Sequence, residues 1–192
     1  MPEYVSGNLD NYKDFADNDY LYFVNSCKAG LFANSMGANA QNIAERYLKY
    51  IVDEFAIPET EDEENRKRSV LRTHSLNVLL NYIMRDMGID FPIILKNNLL
   101  ILNSLYFSTK YPGDDTIRLT VEDILQYKNI LTDCKNYVEK LETEIGKSTG
   151  NGELSEDSFY SEENMLELKK RILNIDLGKS ILKEHALIDC DE

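Results

Sequence analysis

Apolar residues recur at three- and four-residue steps from Ala40 through Ile43, Ala44, Tyr47 and Leu48 to Ile51. They therefore share one stripe of a helix that carries Ala38 to Tyr50 and runs to about Phe55. Beside it Gln41, Asn42, Glu45 and Lys49 form a polar stripe. Glu45 precedes Lys49 by one helical turn, the favourable order for an ion pair. Such a pair is ordinarily a solvated salt bridge beside a core face. The sharper alternative is that the polar stripe is one wall of a site shared with other helices.

The remaining patterns are also helical. Between Leu9 and Phe32 an apolar face of Tyr12, Phe15, Ala16, Phe23, Val24, Cys27 and Leu31 opposes Asp14, Asp17, Asn18 and Asp19. After Pro58 the charged run 59–68 lacks apolar periodicity and predicts a mobile surface loop. Thr73 is the expected cap of a third helix, with His74 in its first turn and Leu76, Leu79, Leu80 and Ile83 on its apolar face. A fourth helix, Ile93 to Phe107, is apolar almost all round and is expected at the centre of the bundle or in a subunit interface. Pro112 and Gly113 break the chain after it. Thr120 with Asp123 resembles a capping box for a fifth helix ending near Gly146. The segment 147–160 has linker composition, and Ser161 caps an expected last helix with Met165, Leu168, Ile172 and Leu173 apolar. The predicted fold is all-α: an antiparallel up-and-down bundle of about five helices in residues 1–146, a linker at 147–160 and a helical extension at 161–192.

Composition agrees with a soluble globular chain: of 192 residues, 43% are hydrophobic and 29% charged, with only 4 Pro and 9 Gly. The formal net charge of -13 argues against nonspecific binding to DNA or RNA through phosphate neutralisation. It leaves room for a small, locally positive site. Cys27, Cys134 and Cys190 have no CxxC spacing and read as reduced thiols. The N-terminal residues carry no signal-peptide pattern, and no apolar run is long enough to span a bilayer, so a cytoplasmic placement is expected. No metal-ligand spacing is present, and neither a metal nor a cofactor is expected. The chain has 12 Tyr and no Trp; Tyr20, Tyr22, Tyr47, Tyr50, Tyr106 and Tyr111 suit either a base-stacking groove or, more commonly, amphipathic packing.

Three separated pieces resemble one family. The run Gln41, Asn42, Ile43, Ala44, Glu45, Arg46, Tyr47, Leu48, Lys49 is similar to the second helix of HEPN domains, with Asn39, Asn42 and Arg46 where His, Gln and Lys are usual. Thr73-His74-Ser75-Leu76 is similar to the family's Thr-His-Asp-Leu at a helix start. Tyr106 to Pro112 is similar to its Tyr-x-x-x-Arg-Tyr-Pro, with Lys110 in place of Arg. The resemblance covers roughly residues 9–145. It implies a five-helix bundle that dimerises and binds a nucleotide or another protein. It also implies a minimal nucleotidyltransferase as a partner, as in toxin–antitoxin and defence systems.

Two sets of residues are candidates for chemistry. Gln41, Asn42, Glu45, Lys49, His74, Lys110 and Tyr111 form the ligand-binding set, with Lys and His to hold phosphate oxygens. The same groups would alternatively satisfy one another between helices or pack in a dimer interface. Arg68 and His74, separated by five residues, match the spacing of the family's metal-independent ribonucleases. There His would act as general acid–base and Arg would clamp the phosphate. The expected function is a dimeric nucleotide-binding and interaction module. A ribonuclease using Arg68 and His74 is the catalytic alternative. A purely structural dimer that binds another protein through its acidic loop and tail is the third.

Overall fold

The computed structural model describes residues 9–150, and the side chains of 9–145. The expected linker beyond 150, the C-terminal extension with His185 and Cys190, and the lead-in 1–8 lie outside the described residues. A compact unit ends at Thr143, and from Glu144 a second unit begins, of which only the end of one helix is described.

The fold is all-α. Among the described residues seven helices follow in order: α1 (Tyr12–Lys28), α2 (Met36–Phe55), α3 (Glu61–Leu71), α4 (Leu76–Arg85), α5 (Ile93–Leu102), α6 (Leu105–Lys110) and α7 (Val121–Gly150). Among the described residues no helix is long and apolar enough to cross a membrane.

Helix α2 is the axis of the packing, touching α1, α3, α4, α5 and α6. Its expected stripe is the core: Ala40, Ile43, Ala44, Tyr47, Leu48 and Ile51 are fully buried. Each large aliphatic side chain removed from water there contributes about 1.5–3 kcal/mol. The N-terminal turn of α2 lies so close to α6 that a Cβ built on Gly37 would sit 2.7 Å from Thr109 Cγ2. From α4, Leu76, Leu79, Leu80 and Ile83 close the same core, as their periodicity predicts.

Several local expectations are corrected. The run 59–68 is mostly helix α3, not a loop. Its stability comes from its ends: Glu63 N–H donates to Thr60 Oγ1 at 3.3 Å, and Glu63 Oε2 accepts from Thr60 N–H at 3.1 Å, a full capping box. Four acidic residues in its first turn and Arg68 in its last complement the helix dipole. Lys67 Nζ donates to Asp53 O and Ala56 O, tying α3 to the open end of α2.

Ser75, not Thr73, is the N-cap of α4, accepting from Val78 N–H, so His74 precedes the helix instead of entering its first turn. The expected fourth helix is two helices. Ser104, at φ +85°, breaks it in the left-handed region, which costs a non-glycine residue about 1–2 kcal/mol. Asn103 Oδ1 accepts from Leu76 N–H at the start of α4, and Gln41 Oε1 accepts from Tyr106 N–H at the start of α6. The first bond satisfies an orphan donor at the start of α4, and the second gives Tyr106 N–H the acceptor that the break removes. Nor is α5 central within the chain: Leu95, Leu99 and Leu102 face the core, while Ile93, Ile94 and Ile101 are exposed.

A further correction concerns Asp17, expected on a solvent face. Its carboxylate takes hydrogen bonds from Tyr47 Oη at 2.7 Å, from Lys13 Nζ at 3.0 Å and from Lys135 Nζ, joining α1, α2 and α7. Phe15 and Leu31, expected on the apolar face of α1, are largely exposed. At the start of α7 the Thr120–Asp123 capping box forms as the spacing predicts.

Candidate functional site

The polar stripe of α2 forms one wall of a cleft of about 1080 Å³. Gln41, Asn42, Glu45 and Arg46 line it from α2, and His74 and Ser75 from the start of α4. The opposite wall comes from the α5–α6 break, with Asn103, Ser104, Tyr106, Phe107 and Ser108, and from Asp115 and Ile117 further along the chain. The volume is at the upper end of the range for small-molecule sites.

At its base Glu45 and Lys49 form an ion pair of 2.8 Å, with side chains only 9% and 8% exposed. Lys49 Nζ also lies 5.9 Å from the centre of the Tyr12 ring. The Glu45 carboxylate is shared: His74 Nδ1 lies 3.1 Å from Oε1 and 3.2 Å from Oε2. The His74 side chain is 80% exposed, and its Nε2 has no hydrogen-bond partner among the described residues. The imidazole is therefore held by one nitrogen while the other is free to meet a ligand. Gln41 fixes the backbone on both walls, donating from Nε2 to His74 O at 3.1 Å and accepting from Tyr106 N–H at 2.8 Å. One amide thus sets the distance between the helix start carrying His74 and the aromatic wall.

The aromatic wall carries its own cation. Lys110 Nζ donates to Tyr106 Oη at 2.8 Å and lies 4.5 Å from the Tyr106 ring centre and 5.6 Å from that of Tyr111. The hydrogen bond from Lys110 lowers the Tyr106 phenol below its ordinary pKa, and the same bond raises Lys110 above its own. Tyr106, Phe107 and Tyr111 touch one another, and Phe107 stands 70% exposed.

Of the residues singled out in the sequence, Gln41, Asn42, Glu45 and His74 line the cleft together. Lys49 lies behind Glu45 and reaches the site through it. Lys110 and Tyr111 flank Tyr106 without lining the cleft. Arg68 is bound to Glu64 on its own helix, Nε to Oε1 at 2.9 Å, and does not line the cleft with His74. Of the six tyrosines weighed as a stacking groove, only Tyr106 lines it. Tyr47 and Tyr50 are buried, and Tyr20 bonds Thr132.

Phe107, Asn103, Ser104 and Asp115 belong to the cleft and carry no sequence signal for it. The only clue is the Asn-Ser interruption of the apolar run at 103–104. Among the described residues no group of three or more His, Cys, Asp or Glu is arranged to hold a metal ion. Comparison with known protein families, curated proteins and solved structures finds no match to this chain.

Proposed function

We propose that the chain is a HEPN-like dimeric module that binds a nucleotide in the cleft between α2 and α6. In this proposal it acts as the interaction partner of a minimal nucleotidyltransferase, as in toxin–antitoxin or defence systems. The observation that supports the reading is the Glu45–Lys49 pair with His74 above it. Burying an ion pair rarely adds stability over an apolar pair of the same volume. Charges retained at the base of a large cleft, under an imidazole with one free nitrogen, are explained by use. The aromatic wall beside them offers a face for a base to stack on. The exposed Ile93 and Ile94 of α5 supply apolar surface for a second copy.

Calorimetry with nucleotides tests the binding. Saturable heat that weakens at least fivefold in His74→Gln is expected, and no heat at millimolar nucleotide contradicts the reading. Light scattering tests the assembly: a dimer is expected, and a monomer at micromolar concentration contradicts it.

One observation favours a second reading, a metal-independent endoribonuclease. Glu45 on Nδ1 leaves Nε2 of His74 placed to take or give a proton. Arg68 would have to leave Glu64 to assist. This reading expects single-stranded RNA to be cut in the presence of chelator and His74→Ala to abolish cutting. Equal cutting by the variant rules it out.

A further inference from the structure

The charges and donors around the cleft limit how much phosphate it can hold. Four lining residues can carry charge: Glu45, Arg46, His74 and Asp115. Arg46 is paired with Asp19, and Glu45 with Lys49. What remains for a ligand is one imidazole nitrogen on His74 and one carboxylate on Asp115, which has no ion-pair partner among the described residues.

Three backbone donors at or near the cleft are already taken. Leu76 N–H is held by Asn103 Oδ1, Val78 N–H by Ser75 Oγ and Tyr106 N–H by Gln41 Oε1. Lys110 does not line the cleft, and its ammonium is engaged by Tyr106 Oη. By contrast, an uncharged partner is well provided for. Phe107 stands exposed on one wall, and the Asn42 side-chain amide on the other makes no hydrogen bond among the described residues.

From this balance we infer that the cleft selects a nucleoside monophosphate, with the base on the Phe107 wall and its single phosphate on His74, over a nucleoside triphosphate. The inference rests on the nucleotide-binding reading above and sharpens it. A second and third phosphate would add several negative charges to a cleft whose remaining fixed charge, Asp115, is also negative, and like charges repel. One phosphate gains a charge-assisted hydrogen bond from the imidazolium form, in which Nδ1 donates to Glu45 and Nε2 to a phosphate oxygen. Asn42 can read the base edge with its free donor and acceptor.

The test is calorimetric titration of the full chain with adenosine, AMP and ATP, and with GMP, CMP and UMP, each with and without magnesium. At least one monophosphate is expected to bind fivefold or more tightly than both its nucleoside and its triphosphate. In His74→Gln that monophosphate should fall to the affinity of its nucleoside, whose own binding stays unchanged. In Phe107→Ala nucleoside and monophosphate should weaken by the same factor. A triphosphate that binds more tightly than its monophosphate overturns the inference and leaves the nucleotide-binding reading standing. If no nucleoside or nucleotide binds, both fall.

Discussion

Two charged clusters sit on opposite sides of α2, and their difference separates structure from function. Glu45 and Tyr47 are two residues apart, so they point to nearly opposite faces of the helix. On the Tyr47 side, Asp17 accepts from Tyr47, Lys13 and Lys135, and these bonds tie α1 to α2 and to α7. On the Glu45 side the partners are Lys49, on the same helix, and His74, whose ring is mostly in solvent. The first cluster closes a gap between α1, α2 and α7. The second leaves its outermost group open to a cleft. Burial alone does not distinguish them, because Glu45 and Lys49 are more deeply buried than Asp17. What distinguishes them is whether the last member of the chain of contacts has a protein partner.

The largest expected effect breaks the cleft-side pair. Glu45→Ala leaves the Lys49 ammonium buried without a counter-charge and should cost about 3 kcal/mol in urea unfolding. Glu45→Gln combined with Lys49→Met should recover most of that loss while still lowering monophosphate binding toward that of the nucleoside. A double variant that binds normally would remove the functional distinction between the clusters.

Next is the wall itself. Gly37→Ala drives a methyl against Thr109, whose nearest atoms lie 2.7 and 2.9 Å from the new carbon. A loss of about 1–3 kcal/mol is expected from overpacking. Thr109→Ser in the Gly37→Ala background should restore part of it, because the 2.7 Å clash is with the methyl Cγ2.

The Asp17 cluster should respond to acid. Burial pushes the Asp17 carboxyl up, but hydrogen bonds from Lys135, Tyr47 and Lys13 outweigh it and hold the group below its ordinary 3.8. Its stabilisation is therefore complete above that value and is lost as pH falls through the lower, folded one. Asp17→Asn should cost about 1–2 kcal/mol at neutral pH. The gap between variant and wild type in chemical denaturation should narrow below about pH 4, without a matching change in nucleotide binding at neutral pH. A gap that widened in acid would contradict the assignment. The smallest effect belongs to Arg68→Ala, which removes only an exposed intrahelical pair and should change stability by less than about 0.5 kcal/mol.

The helices held by burial were legible in the chain. The stripes of α2 and α4 and the capping box of α7 are local patterns, and local physics decides them. The helices held by their ends were not. Helix α3 has only Val70 buried, so it lacks the apolar period that marks a helix, although Thr60 and Glu63 have the spacing of a capping box.

The α5–α6 break depends on Asn103 meeting Leu76 and on Gln41 meeting Tyr106, residues 27 and 65 positions apart. No local rule predicts either. The cleft was accordingly half legible: its α2 wall and His74 come from the polar stripe and the resemblance, whereas Phe107 and Asp115 enter it only because the chain turns at Ser104. Asp17 was misplaced for the same reason, since Tyr47 and Lys135, 30 and 118 residues away, give a surface-type acid a structural role.

The chain holds two histidines, His74 and His185, so imidazole NMR reads the cleft almost in isolation. In titrations of AMP, GMP, CMP and UMP into the labelled full-length protein, at least one should move one of two ring signals saturably, and that signal should be missing in His74→Gln. If the His74 signal stays fixed at millimolar AMP, GMP, CMP and UMP, the claim that this imidazole faces a nucleotide site is contradicted.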